Sequence, residues 1–234
     1  MPSTVRGLFV TGTDTGVGKT YVTALMARSL AASGRRVGVY KPAASGCVRD
    51  AQGCLTSTDA AVLWEAVGRP GDLEHVCPQR FYAPLAPHLA ARAEGREIDA
   101  DLLRKGLDYW QARCEIVLVE GAGGLMSPLG DDEYVADLAG DFGFPLIVVT
   151  RNALGAINAT LQTLITASVY RGGLEVAGLV LNHPAPPPAE DISLATNRIE
   201  LATRCTAPLL ATVALGAKGF DGEVDWFGIA KQRS

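Results

Sequence analysis

Six short apolar runs, rich in β-branched residues, alternate along the chain with stretches whose apolar residues recur at helical spacing. The runs are Leu8 to Val10, Val37 to Tyr40, Ile116 to Glu120, Leu146 to Thr150, Val176 to Leu181 and Leu209 to Val213. Strands that are apolar at successive positions are buried on both faces, and right-handed crossovers supply the helices that cover them. The helical stretches carry Val22, Leu25, Met26 and Leu30; Leu103, Leu107 and Trp110; Ile157, Leu161, Leu164 and Ile165; and Ile192, Ala195, Ile199 and Ala202. Gly34 and Gly172 stand where two of these helices should stop. The pattern predicts an α/β fold, a doubly wound parallel sheet with helices on both faces.

With 48% hydrophobic and 20% charged residues the chain has ample material for a core, and its 234 residues show neither a repeat nor a linker. Residues 1–234 are therefore expected to form a single domain. The Pro-rich stretch Pro184 to Pro188 reads as a stiff connection between a strand and a helix, and Gly216 to Ser234 carries no clear periodicity. The segment from Pro42 to Thr58 is longer than an ordinary strand-to-helix loop and is expected to lie over a site.

Composition excludes several classes of function. The net charge is −4, and no basic run exceeds Arg35-Arg36, so the electrostatic footprint of a nucleic-acid partner is missing. The five cysteines are widely spaced and never paired as CxxC, which argues against a disulfide framework or a zinc site and fits a reducing cytoplasm. The apolar run near the N-terminus is too short for a signal peptide, and no stretch is long enough to span a membrane. His75, His88 and His183 show no metal-ligand spacing.

The first strand is followed by Gly12-Thr-Asp-Thr-Gly-Val-Gly-Lys-Thr20, which opens a helix. This is the context of a phosphate-binding loop, although five residues rather than four separate Gly12 from Gly18. Backbone N–H groups across Thr13, Asp14, Thr15, Gly16, Val17 and Gly18 can approach phosphate oxygens, Lys19 can reach the outer phosphates, and Thr20 can ligate magnesium. The fold is accordingly expected to be of the P-loop nucleoside triphosphatase type.

Ligands of open parallel sheets bind beyond the carboxyl ends of the strands. There the sequence places Lys41, Glu120, Thr150-Arg151 and Asn182. Glu120 precedes Gly121-Ala-Gly-Gly124 and is a candidate magnesium ligand of the Walker B kind. Each also has a plainer reading: Lys41 as a solvated strand-end lysine, Glu120 as a strand-end acid, Asp59 as a helix cap, Asp14 as a residue that orders its turn.

Four segments together carry a family resemblance: Gly12 to Thr20, Lys41-Pro-Ala-Ala-Ser-Gly46, Val119-Glu-Gly-Ala-Gly-Gly124 and Leu154-Gly-Ala-Ile-Asn158. In this order and spacing they resemble the dethiobiotin synthetases. The resemblance implies a magnesium- and ATP-dependent cyclo-ligase of biotin synthesis, a homodimer that converts 7,8-diaminononanoate (7,8-diaminopelargonate) and CO2, or bicarbonate as its source, to dethiobiotin, ADP and phosphate. By matched position, Thr15, Lys19, Lys41 and Ser45 would contact carbamate or γ-phosphate, with Thr15, Lys19 and Lys41 as the catalytic group, while Thr20, Asp59 and Glu120 would hold magnesium. Gly121 and Gly123 would face substrate or phosphate. Leu154, Gly155 and Asn158 would bind the diamine's carboxylate from the neighbouring subunit. Asn182 would contact the base, with Pro208 assigned to the nucleotide as well. The segment Pro84 to His88 resembles a wall of the diamine pocket. Two departures leave base choice open: Gly16 stands where several members have Glu, and the stretch after Pro208 lacks their Gly-Glu-Ile-Pro type of sequence.

The main rival from another class is a partitioning or septum-positioning ATPase. Such proteins usually carry a second lysine early in the phosphate loop, where this chain has Asp14. A glutamine-dependent amide ligase would need a further glutaminase domain, and a silent nucleotide-binding module has no use for Lys41, Ser45, Asp59 and Glu120 together.

Overall fold

The first strand, β1 (Arg6–Gly12), lies in the middle of the sheet, and Leu8, Phe9, Val10 and Thr11 along it are fully buried. The computed structural model describes residues 5–186 and 191–232. After β1 come α1 (Lys19–Ala32), β2 (Val37–Tyr40), the short strands β3 (Ala43–Ala44), β4 (Val48–Arg49) and β5 (Leu55–Thr56), then α2 (Thr58–Ala66), α3 (Leu73–Val76) and β6 (Gln79–Arg80). The middle of the chain forms α4 (Pro87–Ala93), α5 (Ala100–Lys105), α6 (Asp108–Gln111), β7 (Ile116–Gly124), α7 (Val135–Phe142) and β8 (Leu146–Arg151). It ends with α8 (Ala156–Val169), β9 (Val176–Asn182), α9 (Ser193–Arg204), β10 (Leu209–Val213), α10 (Trp226–Ile229) and β11 (Lys231–Gln232).

The main sheet runs β10-β9-β8-β1-β7-β2, every neighbouring pair parallel. From β1 the chain first builds one side, through β2 and β7, and then crosses to build the other through β8, β9 and β10. The order therefore reverses at β1, where a crevice opens at the carboxyl ends of the strands. All six expected strands are present, and the doubly wound architecture follows from their continuous apolar character. Strand β11, from the aperiodic tail, joins this sheet antiparallel, pairing with the start of β1 through Arg6↔Gln232 and Gly7↔Lys231.

Helix signals met mixed outcomes. Helix α1 ends at Ala32, and Gly34 follows at φ 82° with its N–H on Ala31 O. The stripe Ile192, Ala195, Ile199 and Ala202 does fall on or beside α9, but it faces solvent; the buried face is Asn197 and Leu201. The inversion has a physical cause: Asn197 meets the requirements of burial by hydrogen bonding to Asn152 and Ala153, so a polar residue occupies the inward face. The long segment after β2 is not structureless. Ala43–Ala44 pairs with β6, and the exposed β4 forms a hairpin with the half-buried β5. Pro187 and Pro188 of the Pro-rich connection lie outside the described residues.

Candidate functional site

The loop between β1 and α1 turns at Gly18, whose φ of 89° lies in the left-handed region. A Cβ there would lie 2.1 Å from Asn182 Nδ2, so glycine is required on two counts. Asn182 itself is buried at the end of β9 and donates from Nδ2 to Val17 O at 2.8 Å, bracing the loop from behind. Within the loop, Asp14 Oδ1 accepts from Thr15 N at 2.6 Å, and Lys19 Nζ donates to Asp14 O at 3.1 Å. Asp14 thus orders its turn, and the loop's own carbonyl holds the lysine in place.

Thr20, on the first turn of α1, donates its hydroxyl to Glu120 Oε1 at 2.8 Å. The same oxygen accepts from Lys41 Nζ at 2.6 Å, and Lys41 Nζ lies 3.0 Å from Asp59 Oδ2. Lys41 and Glu120 are buried, whereas the Asp59 side chain is about half exposed. Asp59 lies in the first turn of α2, but the helix is capped by Ser57, which accepts from Ala60 N. That frees the Asp59 carboxylate for Lys41. Glu120 Oε2 is buried and has no hydrogen-bond partner among the described residues. An unsatisfied carboxylate oxygen in this position is costly unless a cation or donor meets it.

The charge states follow from these contacts. Burial works against the ammonium of Lys41, but Glu120 and Asp59 outweigh it and hold its pKa above the ordinary lysine value. Burial lowers that of Lys19, with nearby Lys41 adding to the effect against the opposing pull of Glu120. Burial also opposes ionisation of Asp59, yet Lys41 overcomes it and keeps the carboxyl below its usual range.

A cavity of about 380 Å³ is lined by Thr15, Gly16, Gly18, Lys19, Thr20, Lys41, Ala43, Ala44, Ser45, Asp59, Glu120, Ala122 and Gly123. It adjoins one of about 400 Å³ that shares Thr15, Ser45, Ala122 and Gly123 and is walled by Pro84, Leu85, Ala86 and Pro87. His88 turns away, its Nδ1 3.2 Å from Pro128 O. A larger cavity, about 650 Å³, is elsewhere, between α5, α7 and Tyr170. Within its walls Arg104 pairs with Glu133 and Asp141, and Arg171 with Asp137.

Three expected contacts are corrected by this geometry. Pro208 precedes β10, and its carbonyl accepts from Leu179 N; it therefore lies at the amino ends of the strands, whereas the phosphate loop lies at the carboxyl ends. Gly121 is packed against Val135 and Phe9 and does not line the cavity, which Ala122 and Gly123 do. Thr13 donates its N–H to Val149 O and its hydroxyl lies 3.4 Å from Thr150 Oγ1, so it anchors the loop to β8. Thr13 and Asp14 line a separate groove against α8, with Gln162 and Thr163 opposite. Val17 is buried and contributes its carbonyl to Asn182.

Leu154, Gly155 and Asn158 do not join the cavity of their own chain. They form the exposed entry to α8, with Leu154 86% exposed and Gly155 at φ 94°. Ala43, Ala44 and Ala122, which fall within the segments that carry the resemblance, line the cavities, and Ser127 joins them without any sequence signal, since a small residue shapes a wall by leaving room. Among the described residues no group of three or more His, Cys, Asp or Glu could hold a metal, so the oxygen donors here number two carboxylates and a hydroxyl. No helix of the described residues is long and apolar enough to cross a membrane.

The family model described as an AAA domain matches residues 6–214. The ATP-dependent dethiobiotin synthetase BioD of Rhodopirellula baltica is 43% identical over 215 residues, covering 88% of this chain and 82% of that protein. The BioD of Bacillus subtilis is 36% identical over 209 residues, covering 88% and 86%. Among solved structures, cell division protein FtsY from Thermotoga maritima aligns with a TM-score of 0.51 at 15% identity, over 96% of this chain and 67% of that one. The MinC:MinD cell division complex of Aquifex aeolicus gives a TM-score of 0.51 at 13% identity, over 92% and 83%. At such identities the solved structures speak to the fold alone.

Proposed function

This chain belongs to the dethiobiotin synthetase family, ATP-dependent ligases that form the ureido ring in biotin biosynthesis, and we propose how its residues divide that work. In this reading one amine of 7,8-diaminononanoate captures CO2 as a carbamate. A carbamate oxygen is then phosphorylated by ATP. The second amine attacks the carbonyl carbon of the mixed anhydride, closing the five-membered ring and expelling inorganic phosphate.

Two anions must meet in line for this, so fixed positive charge between them is the main requirement. Lys19 and Lys41 supply it. Thr15 and Ser45 orient the carbamate from the wall shared by the two adjoining cavities. Gly16 and Gly18 allow the loop backbone to approach the phosphates, and Asn182 serves the base while bracing Val17. The residues also suit a magnesium ion, since Glu120 Oε2 is buried and, among the described residues, unpartnered beside the Thr20 hydroxyl and the Asp59 carboxylate. Few, hard oxygen ligands match an ion that keeps waters and takes phosphate oxygens for its remaining positions. Once bound, magnesium would neutralise phosphate charge.

Leu154, Gly155 and Asn158 are assigned to the carboxylate of a diamine held by the neighbouring subunit of a homodimer. Their exposure and the start of a 14-residue helix support this. The chain is read as one unit over residues 1–234 that works in the cytoplasm, in keeping with five free thiols.

The observation that supports the reading most is the junction of Lys41 with Glu120 and Asp59 beside a phosphate loop. The test is phosphate release with magnesium, ATP and bicarbonate, with and without 7,8-diaminononanoate, while dethiobiotin is followed by mass spectrometry. Diamine-dependent phosphate matched by dethiobiotin is expected; hydrolysis that ignores the diamine and yields no product would point instead to an ATPase switch.

A further inference from the structure

Behind the entry to α8 lies a polar network of which the reaction described above uses only Asn182. Asn152, Asn182 and Asn197 are all buried there. Asn152 N donates to Asn182 O at 2.7 Å, tying the end of β8 to the end of β9. Asn197 Nδ2, from α9, donates to Asn152 Oδ1 at 2.8 Å and to Ala153 O at 3.0 Å. Asn152 Nδ2 in turn reaches Leu194 O at 3.3 Å and lies 3.0 Å from His183 Nε2.

Two backbone carbonyls fix every orientation in this network. Ala153 O and Leu194 O only accept, so the nitrogens of Asn197 and Asn152 must face them. Asn152 then has one hydrogen left for His183, whose Nε2 must accept. The imidazole proton is thereby placed on Nδ1. One more anchor comes from the segment before α9: Asp191 Oδ2 accepts from Leu154 N at 3.3 Å, while its Oδ1 holds Ser193 N and Oγ. The turn that delivers Leu154, Gly155 and Asn158 is thus held through a side chain, a carbonyl and an N–H, all three reaching α9 or the residues just before it.

We propose that Asn197, acting through Asn152 and Ala153, is a positioning residue that sets the entry of α8 for the diamine's carboxylate. The inference rests on the reading that Leu154, Gly155 and Asn158 bind that carboxylate. Asn197 touches no substrate. It holds the turn from the buried face of α9, where an apolar residue would pack the helix equally well but leave Ala153 O and Asn152 Oδ1 without their donor.

The experiment compares 7,8-diaminononanoate with its primary carboxamide, 7,8-diaminononanamide, in the wild type and Asn197→Asp. Aspartate nearly preserves shape while setting an oxygen against two acceptors. Asn197→Asp is expected to raise the KM for the acid roughly tenfold, the scale of a misplaced anchor, with the KM for ATP, the kcat and the KM for the amide within about twofold of wild type. A merely structural role would instead move acid, amide and ATP together, and that outcome overturns the proposal, as does an unchanged KM for the acid. If Asn197→Asp does not fold, as judged by circular dichroism, Asp191→Ala takes its place. It removes the acceptor of Leu154 N from an accessible position and is expected to show the same selectivity at about threefold; an equal effect on acid and amide, or none, again overturns the proposal. A wild type that uses the amide as readily as the acid overturns the carboxylate reading and this inference with it, whereas clear discrimination in the wild type with no selective loss in the variants overturns this inference alone.

Discussion

Lys41 Nζ, just past the end of β2, stands 2.6 Å from Glu120 Oε1, midway along β7, and both side chains are buried. Burial alone would drive Lys41 toward its neutral form, and Glu120, with Asp59, keeps it charged. The pair also sets Lys41 within the cavity that Thr15 and Lys19 line. Lys41→Gln is therefore expected to lower dethiobiotin formation by about 10² to 10³, the range for loss of one preorganised charge donor. Nucleotide affinity, carried by the loop, should survive in part. Turnover measured with saturating diamine, together with ADP binding by calorimetry, checks both halves, and near-normal turnover would remove Lys41 from the chemistry.

Glu120 offers the complementary test. Its Oε2 is buried without a partner among the described residues, while its Oε1 is shared by Thr20 and Lys41. Glu120→Gln keeps the shape but removes the charge that both a magnesium ion and Lys41 would face. The magnesium concentration for half-maximal activity should rise by roughly tenfold or more, since even outer partners of metal ligands reach that scale. A magnesium titration at fixed ATP decides it; an unchanged midpoint would sink the assignment of Glu120 to the metal.

The six strands and the site lysines were legible in the sequence because burial on both faces leaves uninterrupted apolar runs, and because a phosphate loop requires glycine at fixed places. What the sequence hid has the opposite character. Asn197 was invisible as a core residue since it is polar, and the apolar stripe beside it pointed the wrong way around α9. The resemblance assigns Pro208 to the nucleotide, but a parallel strand has two ends, and only the one after Val213 lies on the side of the loop. The pairing of Lys41 with Asp59 joins residues from β2's end and from α2, a contact that sequence separation conceals.

The alkaline limb of the stability curve should report on Cys77. Burial pushes its thiol up to about 12, against about 8.5 in an unfolded chain. The sign follows from proton counting. Between these values the unfolded state loses the proton and the folded state keeps it, so stability falls as pH rises, by up to about 1.4 kcal/mol per pH unit for this one group. Below about pH 8 both states hold the proton and there is no slope from this source. Cys77→Ala should cost stability at neutral pH through lost packing, yet the gap to the wild type should narrow steadily from about pH 9 upward. Urea unfolding of both proteins across that range is the measurement, and a constant gap would refute the role given to Cys77.

Gly18→Ala carries the last prediction, because two independent requirements meet at that position. At φ 89° an L-residue loses about 1 to 2 kcal/mol against glycine, and the new methyl would sit 2.1 Å from Asn182 Nδ2. Asn182 cannot retreat freely, since it is buried, donates to Val17 O and accepts at its carbonyl from Asn152 N. Relief must come from the loop, which would break the Asn182 to Val17 bond and shift the backbone facing the phosphates. The expected outcome is a destabilisation of about 3 kcal/mol by chemical denaturation together with a loss of ADP affinity larger than that of Lys41→Gln. If Gly18→Ala is paired with Asn182→Ala, the clash disappears while the φ penalty remains, so the double variant should recover part of the stability lost to Gly18→Ala beyond simple addition of the two single effects. Strict additivity would show that the contact with Asn182 is not what confines this position to glycine.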